Sequence, residues 1–221
     1  MCISSSIANF REKLLKRMQL EEWSIFTLFE PTIFFGLYHI GDYIRFLLHR
    51  GEKRVFWCGS DILNLQRSLW KILIHKAKAR HFCENEVEEV ALLKLGIKAE
   101  ICPMIFDDPN KYHPCLKKGN RAWLCYHKGS EEAYGIENAK RLCKETGLEL
   151  HLYDGTVPEE QFNEEIKNHQ IVLRLNKFDG FSEALAKGIL LGQEFISVIK
   201  YPKGEKYWRS KFEESLCKLK N

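Results

Sequence analysis

From residue 32 onward, short apolar runs alternate with stretches in which apolar residues recur every third or fourth position. "TIFFGLY" (32–38), "KRVFWCGS" (53–60), "RHFCE" (80–84) and "KAEICPMIF" (98–106) predict strands. Between them, "GDYIRFLLHRG" (41–51), "DILNLQRSLWKILIHKAKA" (61–79) and "NEVEEVALLKLG" (85–96) predict helices, the last closed by Gly96. The pattern breaks at "DDPNKYHPCLKKGN" (107–120), where prolines, a glycine and polar residues predict a linker. It resumes with strands "RAWLCYH", "LELHLYDG", "QIVLRLN" and "QEFISVIKYP", separated by helices 131–147, 158–169 and 181–192. Before all this, "NFREKLLKRMQLEEW" (9–23) carries Phe10, Leu14, Leu15 and Met18 on one helical side, with Asn9 and Glu12 spaced as a capping box. A basic helix, "EKYWRSKFEESLCKLKN", ends the chain.

Apolar runs that alternate with helical patterns argue for βα units and a mostly parallel sheet. The expected architecture is α/β, two Rossmann-like halves facing a cleft with a terminal helix at each end. Residues 1–110 form a reduced first domain, 111–200 a second, and 201–221 the last helix. The 221 residues, 45% hydrophobic and 29% charged, exclude a disordered chain. A net charge of +4 is too small to announce a nucleic-acid binder, but it suits an anionic small molecule or an acidic membrane surface. The apolar run at 25–38 is interrupted by Glu30 and Pro31, and the N-terminus lacks the order of a secretory signal, so a cytoplasmic location is expected. The stripe of the 9–23 helix can pack on the chain's own core or lie on a membrane surface as a peripheral contact. Eight cysteines without a Cys-x-x-Cys pair read as reduced thiols, and the spacing of "HFC" and "HPC" matches no zinc motif, so no metal is expected.

Ligands of open parallel sheets sit outside the carboxyl ends of the strands. Three neighbouring corners of the second half carry suitable groups. After "WLCY" come His127, Lys128, Gly129 and Ser130; after "LHLY" come Asp154 and Gly155; the corner that closes "IVLRLN" carries Asn176, Lys177, Asp179, Gly180 and Ser182. Ser182 is placed to cap the following helix, whose free N–H groups and dipole favour a phosphate. The chain has no Gly-x-Gly-x-x-Gly, Walker or Gly-x-Ser-x-Gly motif, so dinucleotide, kinase and serine-hydrolase readings lose ground.

The stretch "IVLRLNKFDGFSEALAKGILLGQEFI" resembles the donor-binding domain of the group 1 retaining glycosyltransferases with GT-B fold: a strand, an acidic-Gly loop, and a helix ending in glycine before the last buried strand. "RVFWCGSD" (54–61) and "RHFCENEVEEVALLKLGIKAEICPMIFDD" (80–108) are more weakly similar to the same family's first domain. The resemblance implies transfer of a sugar from a nucleotide diphosphate sugar to an unknown sugar, lipid or protein acceptor, with the leaving diphosphate stabilised by helix N-termini and cations and no metal cofactor. It implies donor contacts from Lys128, Gly129, Asp154, Gly155, Arg174, Lys177, Gly180, Phe181, Ser182, Glu183 and Lys187. His39 and Asp179 are the candidate catalytic residues, and Asp42 a further acceptor-side group. In that family a Glu follows the opening acid by eight positions and accepts the ribose hydroxyls, whereas here Asp179 is followed by Lys187. An ammonium only donates. Lys187 therefore meets the donor phosphates, pairs with Glu183 one turn earlier, or marks a non-catalytic nucleotide-sugar or glycan-binding relative.

Overall fold

The computed structural model describes residues 1–115, 119–155, 158–202 and 204–220, apart from the Asn9 side chain. The chain forms two compact units: Met1–Asp107 with Phe178–Phe181 and Phe212–Asn221, and Asp108–Lys177 with Ser182–Lys211.

The first unit is built on six parallel strands, β1 (Cys2–Ser4), β2 (Glu21–Glu22), β3 (Thr32–Phe35), β4 (Lys53–Phe56), β5 (Arg80–Cys83) and β6 (Ala99–Ile101), in the order β2-β1-β3-β4-β5-β6. Its helices are α1 (Ala8–Met18), α2 (Ile40–Leu48), α3 (Ser60–Gln66), α4 (Trp70–Lys76) and α5 (Glu86–Leu93). A parallel sheet covered on both faces needs continuous apolar strands, and all four residues of β3 are buried. Alternate side chains go to opposite faces. Phe34, Val55 and Trp57 pack with Tyr43, Phe46, Ile62 and Leu65 on one side. Ile33, Phe35, Phe56 and Phe82 pack with Leu14, Met18 and Leu219 on the other.

Leu14 and Met18 are thus core residues, 1% and 3% exposed. The apolar stripe of α1 packs on its own sheet, the first of the two readings of residues 9–23. That helix neither opens the chain nor reaches residue 23. Strand β1 precedes it, Gln19 takes a left-handed C-cap (φ 53°), and Glu21–Glu22 pair with β1 as an edge strand. Its N-cap is Ile7, whose N–H donates to Ser5 Oγ, so the Asn9–Glu12 box does not start the helix. The single helix expected at 61–79 is two, and in the turn between them Ser68 Oγ accepts from Trp70 N–H at 3.0 Å while Leu69 takes the N-cap position of α4.

The second unit holds β7 (Arg121–Tyr126), β8 (Glu149–Asp154), β9 (Ile171–Arg174) and β10 (Glu194–Ser197), all parallel in the order β10-β9-β7-β8. Helices α6 (Ile136–Thr146), α7 (Glu159–Ile166) and α8 (Glu183–Leu190) flank it. The fold is therefore the expected α/β class with two Rossmann-like halves. Residues 116–118 of the expected linker lie outside the described residues, but Tyr112, also within it, is 3% exposed and packed in the second unit. The final helix, α9 (Glu205–Lys220), contributes its second half to the first unit, where Arg54 donates to Leu219 O and Cys102 Sγ to Ser215 O. Among the described residues, no helix is long and apolar enough to cross a membrane.

Candidate functional site

In the second sheet the chain runs from β7 outward to β8, then returns to the other side of β7 for β9 and β10. The crevice between β7 and β9 is a topological switch point, where the helices that follow the two strands leave in opposite directions and open the sheet end to a ligand. Arg174 ends β9 there, and its guanidinium lies 4.9 Å from the centre of the Tyr134 ring. Tyr134 meets the His127 ring edge-on at 5.7 Å. His127 in turn sits against Gly155, where a Cβ would lie 2.8 Å from His127 Cε1. The loops after β7, β8 and β9 thus converge on one cluster.

Around it, Lys128, Gly129 and Lys177 are exposed, while Asp154, Gly155 and Arg174 are half-buried. Gly129 adopts φ +86°, a conformation that strains any side chain, and its N–H donates to Glu131 Oε1 at 3.0 Å. That turn already holds a carboxylate on backbone amides, and these hydrogen bonds keep the Glu131 carboxyl below its ordinary range. Asn176, just beyond β9, is 8% exposed with a buried Oδ1 that has no hydrogen-bond partner. The cluster therefore combines cations, a ring pair and a buried acceptor. Asn176 was expected at the corner that closes "IVLRLN", whereas Tyr134 was not singled out by sequence, and only its position just after strand β7 hinted at it.

Helix α8 begins at Ser182, but the Ser182 side chain makes no cap hydrogen bond, contrary to the expected role. Lys187 is 1% exposed. Its ammonium donates to Glu159 Oε1 at 2.8 Å and Asn163 Oδ1 at 2.9 Å, with Glu183 Oε1 at 3.7 Å, and it lies over the rings of Phe162 and Tyr112 at 5.0 and 5.4 Å. Of the three N–H donors of a lysine, two are used by Glu159 and Asn163, while Glu183 is an ion-pair neighbour beyond hydrogen-bond distance of the ammonium. The shortest pair is not the same-helix Glu183 but Glu159 on α7, so Lys187 pins α7 to α8. Gly188 beside it has a packing reason: a Cβ there would lie 2.4 Å from Val172 Cγ2 of β9.

The first unit gathers a second group of polar side chains at the carboxyl end of its sheet. Asp61 is fully buried and accepts from Leu37, Cys58 and Ile62 N–H at 3.3, 3.0 and 2.9 Å. Glu88, also fully buried, accepts from Glu84 N–H at 2.7 Å, and its Oε1 has no partner. Asp42 accepts from the N–H groups of Tyr38 and His39, so it caps α2, while His39 is exposed at the N-cap position. The segment Phe178–Phe181 belongs here: Asn85 Nδ2 donates to Asp179 O and Phe181 N–H to Glu84 Oε2, both at 2.7 Å. The Phe181 amide, one residue before the N-cap of α8, is thus held by this chain's own carboxylate. Gly180 leaves room for it, since a Cβ would lie 2.0 Å from Glu84 Oε2. Sequence reasoning missed Glu84, Glu88 and Asp61; their position just after apolar strands β4 and β5 was the available signal.

Two predictions arise from this group. Gly180→Ala is expected to displace the Glu84 carboxylate from the Phe181 amide and lower stability by about 1–3 kcal/mol, read by denaturant unfolding. Burial raises the Asp61 carboxyl to about 7 against the pull of its three N–H donors, and burial with the neighbouring Glu84 raises Glu88 well above the carboxylate range. The folded state then holds protons that the unfolded chain releases. Stability from Asp61 is full below its ordinary pKa of 3.8 and falls as pH rises toward about 7, by at most about 1.4 kcal/mol per pH unit. Urea unfolding in steps from pH 4 to 8 checks this, with a flatter profile expected for Asp61→Asn.

Among the described residues, no three His, Cys, Asp or Glu side chains cluster as a metal site. No protein-family profile matches the chain, and no curated protein sequence does. Among solved structures it is similar to TarM: a mutant of the S. aureus protein in complex with fondaparinux, alpha-GlcNAc-glycerol and UDP, with a TM-score of 0.45 and 8% identity over 86% of this chain. A second TarM crystal structure gives a TM-score of 0.43 and 10% identity over 85% of this chain. The chain spans about half the length of each, 48% and 47%.

Proposed function

We propose that this chain is a glycosyltransferase-like protein that binds a nucleotide diphosphate sugar at the carboxyl end of the second sheet and transfers the sugar to a sugar, lipid or protein acceptor. The reading rests on the Arg174–Tyr134–His127 cluster at the β7/β9 switch point. Arg174, with Lys128 and Lys177 on the adjoining loops, meets the diphosphate, and their charge offsets the negative charge that grows on the leaving group as the glycosidic bond breaks. Asn176 Oδ1 accepts a hydroxyl proton of the sugar or ribose. Asp154 and Gly155 line the β8 side of the same crevice. His39, exposed at the start of α2, and Asp179 remain the candidate acceptor-side and sugar-side groups.

One observation favours a second reading, a binding protein without turnover. Where the resembled glycosyltransferases carry a Glu for the ribose hydroxyls, Lys187 points its donors at Glu159 and Asn163 and provides no acceptor. Isothermal titration with UDP, GDP and their sugars, followed by assay of sugar release and transfer, separates the two. Binding with turnover supports transfer, and binding without it supports the second reading. If neither nucleotide nor any of their sugars binds, the proposal fails.

A further inference from the structure

The opposite end of the first sheet carries a surface that the nucleotide reading does not use. Its six strands are all parallel, so the segments that lead into β3, β4, β5 and β6 lie at one edge. Before β3, the turn around Ile25–Thr27 exposes Ile25, Phe26 and Phe29 by 68%, 91% and 77%. Its backbone is fixed: Ser24 Oγ accepts from Phe26 N–H, and Arg50 and Gly51 N–H both donate to Leu28 O. Those two bonds bring the end of α2 alongside, where Leu48 is 53% exposed. Large apolar side chains held outward on an ordered turn have no folding benefit, and such patches mark interaction sites.

The charge at this edge names the partner. Arg50, Lys53, Lys76, Lys78, Arg80 and Lys98 stand in or beside the segments leading into β4, β5 and β6, and all but half-buried Lys53 are exposed. Against them stand Glu21, Glu22, Glu30 and Glu52, of which Glu22 is held by Arg11 at 3.1 Å and Glu52 by Arg54 at 2.8 Å, so cations still prevail. Lys76 also complements the dipole at the end of its helix, and Lys53 and Arg80 lie over the Phe46 and Phe82 rings, whereas Arg50, Lys78 and Lys98 are exposed loop cations. Protruding Phe and Ile beside a cationic rim fit a lipid interface, where the rings enter the headgroup boundary and the cations meet anionic lipid. A nucleic acid would use the cations but leave Ile25 and Leu48 in water.

We propose that the amino-terminal edge of the six-stranded sheet docks on an anionic membrane surface, with Phe26 and Phe29 inserted and the Lys and Arg rim against the headgroups. This places membrane contact away from the 9–23 helix and is independent of nucleotide binding.

The test is co-sedimentation of the full chain with vesicles of phosphatidylcholine alone and of an equal mixture with phosphatidylglycerol. The protein is expected to sediment with the anionic vesicles, weakly with the neutral ones, and less at high salt. Phe26→Ser with Phe29→Ser, both surface changes, is expected to weaken binding about tenfold or more. Lys76→Ala with Lys78→Ala is expected to weaken it about 30-fold, from roughly 1 kcal/mol per basic residue. Circular dichroism confirms that each variant is folded. No sedimentation, equal binding to both vesicles, or variants that bind like the parent overturns the proposal. So does a dimer that Phe26→Ser with Phe29→Ser dissociates, or an RNA homopolymer that binds more tightly than the vesicles.

Discussion

Lys187→Glu is expected to lower stability by about 3–5 kcal/mol, the range for leaving a buried charge without its partner. The substitution replaces a 1% exposed ammonium with a carboxylate against Glu159 and Glu183, two acids on adjoining turns of α7 and α8. Three carboxylates then share a site lined by Tyr112 and Phe162, where low dielectric strengthens repulsion. The change that makes the chain more like its resembled glycosyltransferases therefore damages its second unit instead of restoring a ribose contact. Lys187→Met keeps the length and the ring contacts while Glu159, 41% exposed at its side chain, can turn to water; it is expected to lose roughly 1–2 kcal/mol. Denaturant unfolding of the three proteins, followed by circular dichroism, checks the ranking. Equal stability of Lys187→Glu and the parent would show that the ammonium is not the tie between α7 and α8.

Arg174→Ala is expected to weaken nucleotide diphosphate binding by about 100-fold, the equivalent of charge-assisted hydrogen bonds worth roughly 1.5–3 kcal/mol. Its effect on folding is small by comparison, because the side chain is half-buried and its ring contact with Tyr134 contributes about 0.5–1 kcal/mol. Arg174→Lys retains the charge but not the planar fork, so its affinity falls between the two. Titration of UDP into the three proteins reads the order directly. A loss confined to stability, with nucleotide affinity unchanged, would assign Arg174 to packing alone.

The strand and helix alternation was legible because both sheets are parallel, which makes their central strands short apolar runs such as "TIFF" or "IVL". Elements set by a few local hydrogen bonds were not. β1 has three residues and no period to detect, and β2 consists of two exposed glutamates whose pairing is entirely with β1. The break between α3 and α4 falls at Arg67–Leu69, where a local Ser68 hydrogen bond to Trp70 N–H interrupts an otherwise continuous helical pattern.

The site was legible in part. The loops after β7, β8 and β9 were identified by position, and the sheet order brings them to one end. The partners of individual side chains were not, because they come from residues distant in sequence. Lys187 invited pairing with Glu183 at the favourable helical spacing, yet Glu159, 28 residues earlier, lies nearer. Glu84, 97 residues before Phe181, accepts from the Phe181 amide of the "FDGF" corner. Gly188 costs a helix interior about 1 kcal/mol against Ala, and its reason, Val172 of β9, lies 16 residues earlier in the chain.

The central claim is that the carboxyl ends of β7 and β9 hold the diphosphate of a nucleotide sugar. A crystal structure of the protein soaked with a UDP-sugar tests it most directly. The account predicts diphosphate density within hydrogen-bond reach of Arg174 and the Lys128–Gly129 turn, with Lys187 still bound to Glu159. A bound nucleotide whose phosphates contact neither Arg174 nor that turn would contradict it.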